Sequence, residues 1–291
     1  MSEKSENVVL RLALPKGRMQ KGVESLLADA GIEVVVGGRS YRPRLSLPGV
    51  EVKLLKPQNI VEMLHAGSRD IGFAGADWVA ELDARVEELL DTGLNPVRLV
   101  AAAPEELVDA GWPPKRPLVV ASEYERLTKG WIADSGLDAR FVKSFGATEV
   151  FPPEDADCIV DNSATGGTLE ANKLRVVDEL MQSSTRLFAH PAALENPEKR
   201  EAIERLVLVL GAVLEARTRV MMEVNVTAEH LEAVIAVLPC MREPTIAPLH
   251  GDAGYAVKAA VPRRDLPLVI PAVKAAGGTD VVVTRLAQIV S

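Results

Sequence analysis

Residues 157–169 read DCIVDNSATGGTL. Cys158-Ile159-Val160 is a short apolar run that predicts a buried strand, and Asp161 stands where that strand would end. Ser163, Ala164, Thr165, Gly166, Gly167 and Thr168 follow, and Leu169-Glu170-Ala171-Asn172 reads as the start of a helix. A strand, a tight turn of small residues and a helix N-terminus together make an anion site. Backbone N–H groups point outward there and the helix dipole favours negative charge. Thr165 and Thr168 add hydroxyl donors, while Gly166 and Gly167 let the backbone approach a phosphate closely. Asp161 would repel a phosphate. A carboxylate beside such a cradle suits ribose hydroxyls or a bridging Mg²⁺. The ligand implied is a phosphorylated sugar. A TGGT turn also serves as ordinary helix-capping chemistry. An acid, two threonines and two glycines in one strand–turn–helix context favour the sugar phosphate over capping alone.

Outward from this segment, strands and helices alternate. Val8–Leu14 predicts a first strand, followed by the loop Pro15-Lys16-Gly17-Arg18 and a helix that ends at Gly31. Val50–Leu55 is a strand, Pro57 opens a helix to about Ala66, Asp70–Ala74 is a short strand, and Gly75-Ala76-Asp77 leads into a further helix. Prolines 104, 113, 114 and 117 punctuate the passage, after Val97–Ala103, to a second unit. That unit holds strands at Leu118–Ala121 and Ala139–Lys143 and a helix over Glu123–Asp134. Arg186–Ala189 is another strand, and Asn196-Pro197 opens a long helix to about Ala216. The expectation is an α/β fold with a largely parallel sheet. The tail differs. Val220–Val226, Ala228–Leu238, Thr245–Leu249, Tyr255–Val261, Leu266–Ala276 and Asp280–Thr284 read β-α-β-β-α-β, the order of ferredoxin-like modules.

The chain has 291 residues, enough for two or three domains, with 47% hydrophobic and 25% charged residues, as in ordinary globular proteins. A net charge of −8 argues against a broad nucleic-acid surface, so a bound polyphosphate would need locally concentrated positive charge. No stretch is as long and apolar as a membrane span, and the N-terminal residues lack a secretory pattern. Cys158 and Cys240 show no metal spacing and read as free thiols in a reducing, cytoplasmic setting. His65, His190, His230 and His250 also lack metal spacing. Trp78, Trp112 and Trp131 read as packing residues, and Asp70 as a strand-start or capping residue.

Several motifs in order now resemble the long form of the ATP phosphoribosyltransferase family. They are LALPKGR (Leu12–Arg18), DIGFAGADWV (Asp70–Val79), ASEY (Ala121–Tyr124), GATEV (Gly146–Val150), DCIVDNSATGGTLEANKL (Asp157–Leu174), SSTRL (Ser183–Leu187) and EPTIAPL (Glu243–Leu249). The resemblance implies two α/β domains arranged like periplasmic binding proteins, here 1–98 with 188–217 and 99–187, plus a ferredoxin-like regulatory domain over 218–291. It implies transfer of a phosphoribosyl group from phosphoribosyl pyrophosphate to N1 of ATP, with Mg²⁺ and release of pyrophosphate. It also implies histidine as inhibitor and a homo-oligomer of dimers up to a hexamer. Nothing in it calls for nucleic acid or a membrane.

Under this resemblance Lys16 and Asp161 are the catalytic residues. Arg18, Gly75, Asp77, Tyr124, Glu149, Ser163, Ala164, Thr165, Gly166, Gly167 and Thr168 bind substrate, and Asn225, Thr245, Ala260 and Asp280 lie near the histidine. Lys16 and Arg18 suit the neutralisation of two polyphosphates. Taken alone they also read as solvated loop charges, Glu149 as a helix cap, and Tyr124 as a core or hinge residue. The chain departs from the usual family pattern at three places. VFPPEDA (Val150–Ala156) lacks a glycine, Asn162 stands where an apolar residue is usual and Ala164 where serine is frequent, and Glu125 replaces a proline after ASEY. A single-domain phosphoribosyltransferase would share the acid and TGGT but lack PKGR and the tail module. A non-catalytic two-domain binding protein would need neither the acid nor the TGGT.

Overall fold

A computed structural model of the chain describes residues 10–35 and 41–290. Val8 and Val9 of the expected first strand, and the N-terminal residues before them, lie outside the described residues. In chain order the elements are β1 (Leu10–Pro15), α1 (Gln20–Asp29), β2 (Val34–Val35), β3 (Arg44–Leu45), β4 (Val50–Leu55), α2 (Pro57–His65), β5 (Ile71–Gly75) and α3 (Ala76–Glu81). There follow β6 (Glu87–Pro104), α4 (Glu105–Asp109), β7 (Leu118–Ser122), α5 (Glu125–Asp134), β8 (Ala139–Lys143), β9 (Cys158–Ser163), α6 (Gly167–Ala171) and β10 (Leu174–Ala189). The chain closes with α7 (Pro191–Glu195), α8 (Pro197–Thr218), β11 (Arg219–Val226), α9 (Leu231–Val237), β12 (Thr245–Pro248), β13 (Tyr255–Pro262), α10 (Leu266–Ala275) and β14 (Thr279–Arg285). Two compact units result. One holds the described residues up to Ala28 together with Ile32–Glu204, and the other holds Asp29–Gly31 and the described residues from Arg205 on.

The first unit is built on a sheet of order β4-β1-β5-β10-β6-β9-β7-β8. Its flanks are parallel, with β1 beside β4 and β5, and β7 beside β8 and β9. Its centre is not: β10 runs antiparallel to β5 and β6, and β6 antiparallel to β9. The expected largely parallel sheet is therefore corrected to a mixed one. The reason is the pair of long strands. β6 and β10 pair from Leu174 opposite Pro104 to Ala189 opposite Glu87, through several register shifts. Bulges of this kind bend and twist a ribbon. One end of it, Thr185–Ala189, joins β5, and Arg98–Ala102 joins β9. Each flank is thus a lobe of parallel strands hung on one ribbon.

Apolar side chains fill both lobes. Leu12, Leu14, Leu26, Leu27, Ile60, Leu64, Ile71 and Phe73 are buried in the first, and Leu99, Val120, Tyr124, Cys158 and Val160 in the second. Trp131 packs in the second lobe with Trp78 and Trp112 against the same cluster, as expected of packing residues. Cys158 is buried and its thiol is pushed up to about 12 by burial, so it stays protonated. The histidines do local work: His65 Nδ1 accepts from Arg85 N–H, and His190 Nδ1 accepts from Ala192 N–H at the start of α7.

The second unit carries the sheet β12-β13-β11-β14, antiparallel throughout, in the expected β-α-β-β-α-β order. Along β11 the side chains alternate. Val220, Met222, Val224 and Val226 pack with Val234 of α9 and with Val269 and Val273 of α10, leaving the opposite face of the sheet uncovered by helices within this unit. No helix among the described residues is long and apolar enough to cross a membrane.

Asp70 is a structural carboxylate, in keeping with its sequence reading. It accepts from Arg11 of β1 at 2.8 Å and from Lys199 of α8 at 2.7 Å. Burial alone would raise its pKa, but the Arg11 and Lys199 hydrogen bonds hold it below the usual carboxylate range. A depressed folded-state value means that its stabilisation is present above the unfolded value and is lost as pH falls through the folded one. Asp70→Asn should lower the unfolding free energy by about 2 kcal/mol at neutral pH. In urea titrations the gap from wild type should close as pH drops below about 4.

Candidate active site

Two loops of the first unit meet through side chains. The first follows β1: Lys16 precedes a short turn over Gly17–Met19. Its ammonium lies 3.4 Å from the centre of the Tyr41 ring, a cation–π contact that fixes the head of an otherwise mobile side chain. Arg18 is exposed and donates from Nη2 to Asn162 Oδ1 at 3.2 Å. The second loop is the 161–168 segment. Asp161 is the fourth of the six residues of β9, which runs on to Ser163 beyond the strand end expected at Asp161, and it sits there because Cys158-Ile159-Val160 is buried between β6 and β7. Asp157, at the other end of that strand, accepts from Val119 N–H at 2.8 Å and from Arg116 at 2.6 Å.

The turn after Asp161 has Ser163 buried and Ala164, Thr165, Gly167 and Thr168 exposed. Gly166 has φ +85°, a left-handed conformation that a side chain would strain, and it caps α6. The expected helix after the turn is a single short one, Gly167–Ala171. Its dipole is accordingly small. A ligand at this turn would meet backbone N–H groups and the Thr165 and Thr168 hydroxyls rather than the end of a long helix. Ala164 also borders a cavity of about 370 Å³, whose walls include Arg98, Ser183, Ser184 and Arg186.

The Asp161 carboxyl is pushed up to about 6, first by burial; its own neighbour Asn162 N–H, donating at 2.7 Å, opposes this. The charges of Glu149 and Glu123 raise it further and that of Arg18 lowers it. Glu149, on the short turn Thr148–Val150, is thus an electrostatic neighbour of Asp161, and Glu123 is one that the sequence did not single out. No group of three metal-ligating side chains exists among the described residues. A Mg²⁺ ion carried on substrate phosphates needs only one or two carboxylates, which Asp161 and Glu149 fit by charge and donor type.

Gly75 and Asp77 are brought to the end of β5. A side chain at Gly75 would overlap the Asp77 carboxylate, so the glycine makes room for it. Asp77 is 3% exposed and Tyr124 0%. They face each other: Tyr124 Oη donates to Asp77 Oδ2 at 2.6 Å, and Ser183 Oγ donates to Asp77 Oδ1 at 2.7 Å. Trp78 stacks on the Tyr124 ring with centroids 4.6 Å apart. Burial and the Asp77 charge raise the Tyr124 pKa far above its ordinary value, so its proton stays in place. Neither side chain opens to solvent here, and their hydrogen bond ties α3 of the first lobe to the second. Ser183 and Asn162 complete the network. Ser183 lay inside SSTRL and Asn162 inside the 157–174 motif, but nothing in one sequence marked either as an Asp77 or Tyr124 partner.

The four residues assigned to a histidine site lie in the second unit. Asn225 Nδ2 donates to Asp280 Oδ2 at 3.1 Å. Thr245 lies opposite Lys258, and Ala260 opposite Met221, four residues from Asn225 along β11. At about 3.3 Å per residue this separates Ala260 from Asn225 by roughly 13 Å. Strand alternation puts Asn225, Thr245 and Ala260 on the face that α9 and α10 leave uncovered. Within one chain they share a face without converging on one cavity.

The family model described as ATP phosphoribosyltransferase matches residues 56–211, and the one described as HisG, C-terminal domain, matches residues 216–288. The ATP phosphoribosyltransferase of Pelotomaculum thermopropionicum is 36% identical over 286 residues, covering 97% of this chain and 99% of its own. That of Chlorobaculum parvum is 36% identical and covers 95% and 96%. Among solved structures, the ATP phosphoribosyl transferase (HisG:HisZ) complex from Thermotoga maritima aligns with a TM-score of 0.63 at 26% identity, covering 71% of this chain and 98% of that one. Together with an acid-and-threonine loop facing a basic loop on an α/β frame, these matches place the chain in the ATP phosphoribosyltransferase family, a family of transferases.

Proposed function

We propose that this protein transfers the phosphoribosyl group of phosphoribosyl pyrophosphate to N1 of ATP, the first step of histidine biosynthesis, under feedback by histidine. The observation that carries this reading is the meeting of Arg18 with the 161–168 loop. In the reaction the C1–O bond to pyrophosphate breaks, pyrophosphate leaving with the electron pair, and the adenine N1 lone pair forms the new bond to C1. Positive charge develops on the ribose as the bond breaks. Asp161, as carboxylate, accepts from the ribose hydroxyls and faces that charge. Thr165 and Thr168, with Gly166 and Gly167 between them, hold the 5′-phosphate through N–H and O–H donors. Ser163 and Ala164 shape the approach to the turn. Lys16 and Arg18 oppose the negative charge of the two polyphosphates. Asp161 and Glu149 would hold a Mg²⁺ ion, which would supply further neutralisation of the phosphate charge. Gly75, Asp77 and Tyr124 hold the two lobes in register around the substrates, and Glu149 tunes Asp161. No nucleophile–base pair is required, because catalysis here is positioning and charge stabilisation.

The second unit is the regulatory module of this reading. Its uncovered sheet face, bearing Asn225, Thr245 and Ala260 with Asp280 at the margin, suits a zwitterionic ligand held together with a second copy. Exposed Ile246, Val282 and Val283 on the edge strands support assembly of dimers and a ring of six. The free thiols of Cys158 and Cys240 suit the cytoplasm.

Purified protein given ATP, phosphoribosyl pyrophosphate and Mg²⁺ should release pyrophosphate and change the adenine absorbance; binding of a small ligand without turnover would favour a binding protein instead. Asp161→Ala and Thr168→Val should each lower kcat/KM about ten- to a hundredfold with the fold intact by circular dichroism. Wild-type kinetics in both would take the loop out of the site.

Because the carboxylate form of Asp161 is lost as pH falls through about 6, kcat/KM should fall on the acid side with a midpoint near that value. Asp161→Asn should abolish this limb, and an unchanged limb in the variant would assign it to another group.

Histidine should inhibit without competing for either substrate, and Asn225→Ala should weaken inhibition about tenfold or more while leaving uninhibited turnover unchanged. Competitive inhibition, or full sensitivity in the variant, would place the effector elsewhere.

A further inference from the structure

Asp77 is a buried carboxylate that makes no ion pair among the described residues. Such a charge is costly unless hydrogen bonds answer it. Its partners lead outward in one direction. Ser183 Oγ and Tyr124 Oη both donate to it. Tyr124 has a single proton and spends it on Asp77, so toward Asn162 its oxygen can only accept. Asn162 Nδ2 meets it at 3.1 Å. Arg18 can only donate, and it meets Asn162 at Oδ1. Both neighbours therefore demand the same orientation of the amide. The second Nδ2 hydrogen points to Asp161 Oδ1, at a long 3.4 Å.

We propose that Asn162 is a positioning residue: its carboxamide ties the Arg18 guanidinium beside Asp161 to the buried Asp77–Tyr124 pair across the first unit. The chain Arg18–Asn162–Tyr124–Asp77 runs head to tail from a cation to an anion, so each bond polarises the next. An apolar residue at 162 cannot make either link. An aspartate cannot donate to Tyr124 and would set a third carboxylate against Asp77 and Asp161. Only an amide of this length supplies an acceptor and two donors on one short plane. In substrate-free protein the tether presents Arg18 to the pyrophosphate, which lowers the cost of ordering it when the phosphoribosyl donor arrives. This role rests on the phosphoribosyltransfer reading above.

The charged groups that face Asp161 are Arg18 from the loop after β1, Glu149 from the turn before β9 and Glu123 from the segment after β7. Releasing Arg18 leaves the acids with no cation facing them, so an incoming pyrophosphate would meet net negative charge there.

The test is a double-mutant cycle between Arg18→Met and Asn162→Leu, with Asn162→Ala run beside it so that a packing failure of the leucine variant does not decide the result. Asn162→Leu should lower kcat/KM about tenfold, through a raised KM for phosphoribosyl pyrophosphate, with kcat within about threefold. Added to Arg18→Met it should cost almost nothing more, because Asn162 acts through Arg18. Affinity for inorganic pyrophosphate, read by calorimetry on the substrate-free protein, should fall about tenfold in both Asn162 variants. Losses that multiply in the double variant, or a pyrophosphate affinity unchanged in both Asn162 variants, would overturn the proposal. A wild-type protein without turnover would sink the phosphoribosyltransfer reading instead, and the pyrophosphate affinities would still decide what Asn162 does.

Discussion

The first unit depends on the pairing of β6 with β10. Each lobe alone is a three-stranded parallel flank that leaves one strand edge open, β5 in one and β9 in the other. The β6–β10 ribbon closes both edges with its own main-chain hydrogen bonds, β10 on β5 and β6 on β9. Register shifts along the ribbon give it the bend that a single sheet plane would not allow. The lobes are consequently coupled by backbone, with no loop between them. Their loops, after β1 and β5 on one side and after β7 and β9 on the other, meet at fixed distance.

On that frame the charge arrangement becomes intelligible. The chain is acidic overall, and the proposed binding of phosphates at the 161–168 turn needs positive charge nearby. The structure supplies it sparingly. Arg18 stands at the turn through Asn162, and Lys16 is braced on Tyr41. Against them stand Glu149 and Glu123, which together with burial push the Asp161 carboxyl up to about 6. In the proposed reaction a group so poised is a better acceptor from ribose hydroxyls than a strongly acidic one. The buried Asp77–Tyr124 pair is different in kind. Its acid accepts from Tyr124 and Ser183, its phenol stays protonated, and the pair ties the two lobes together by a buried hydrogen bond.

Much of this was legible in the sequence because it is local. Strand β4 and strand β8 were read to the residue, and the β-α-β-β-α-β tail followed from apolar alternation and turn residues spaced along 75 residues or so. The anion turn was read from Asp161, Thr165, Gly166, Gly167 and Thr168, since backbone donors and hydroxyls need no distant partner to be recognised. The long strands were read only in their buried halves, Val97–Ala103 and Arg186–Ala189. The remaining halves carry Asp91, Gly93, Asn95 and Pro96 on one strand and Arg175, Asp178, Glu179 and Gln182 on the other, residues that read as loop. They are strands because each is the other's partner, which no window of one strand contains.

The sequence by itself determined the alternation of strands and helices in the α/β part, the β-α-β-β-α-β order of the tail and the turn of small residues that leads from β9 into α6. Each rests on periodicity, capping and residue type within a few turns of chain. Only the tertiary structure decided that the sheet is mixed and that α6 is too short to lend much dipole. It alone put Gly75 where the Asp77 carboxylate needs space, and put Asn162, read only as a departure from a family pattern, between Arg18 and Tyr124. The network of Arg18, Asn162, Tyr124, Asp77 and Ser183 depends on contacts between residues 38 to 144 positions apart, where the chain's own pattern carries no distance information and packing alone sets the geometry.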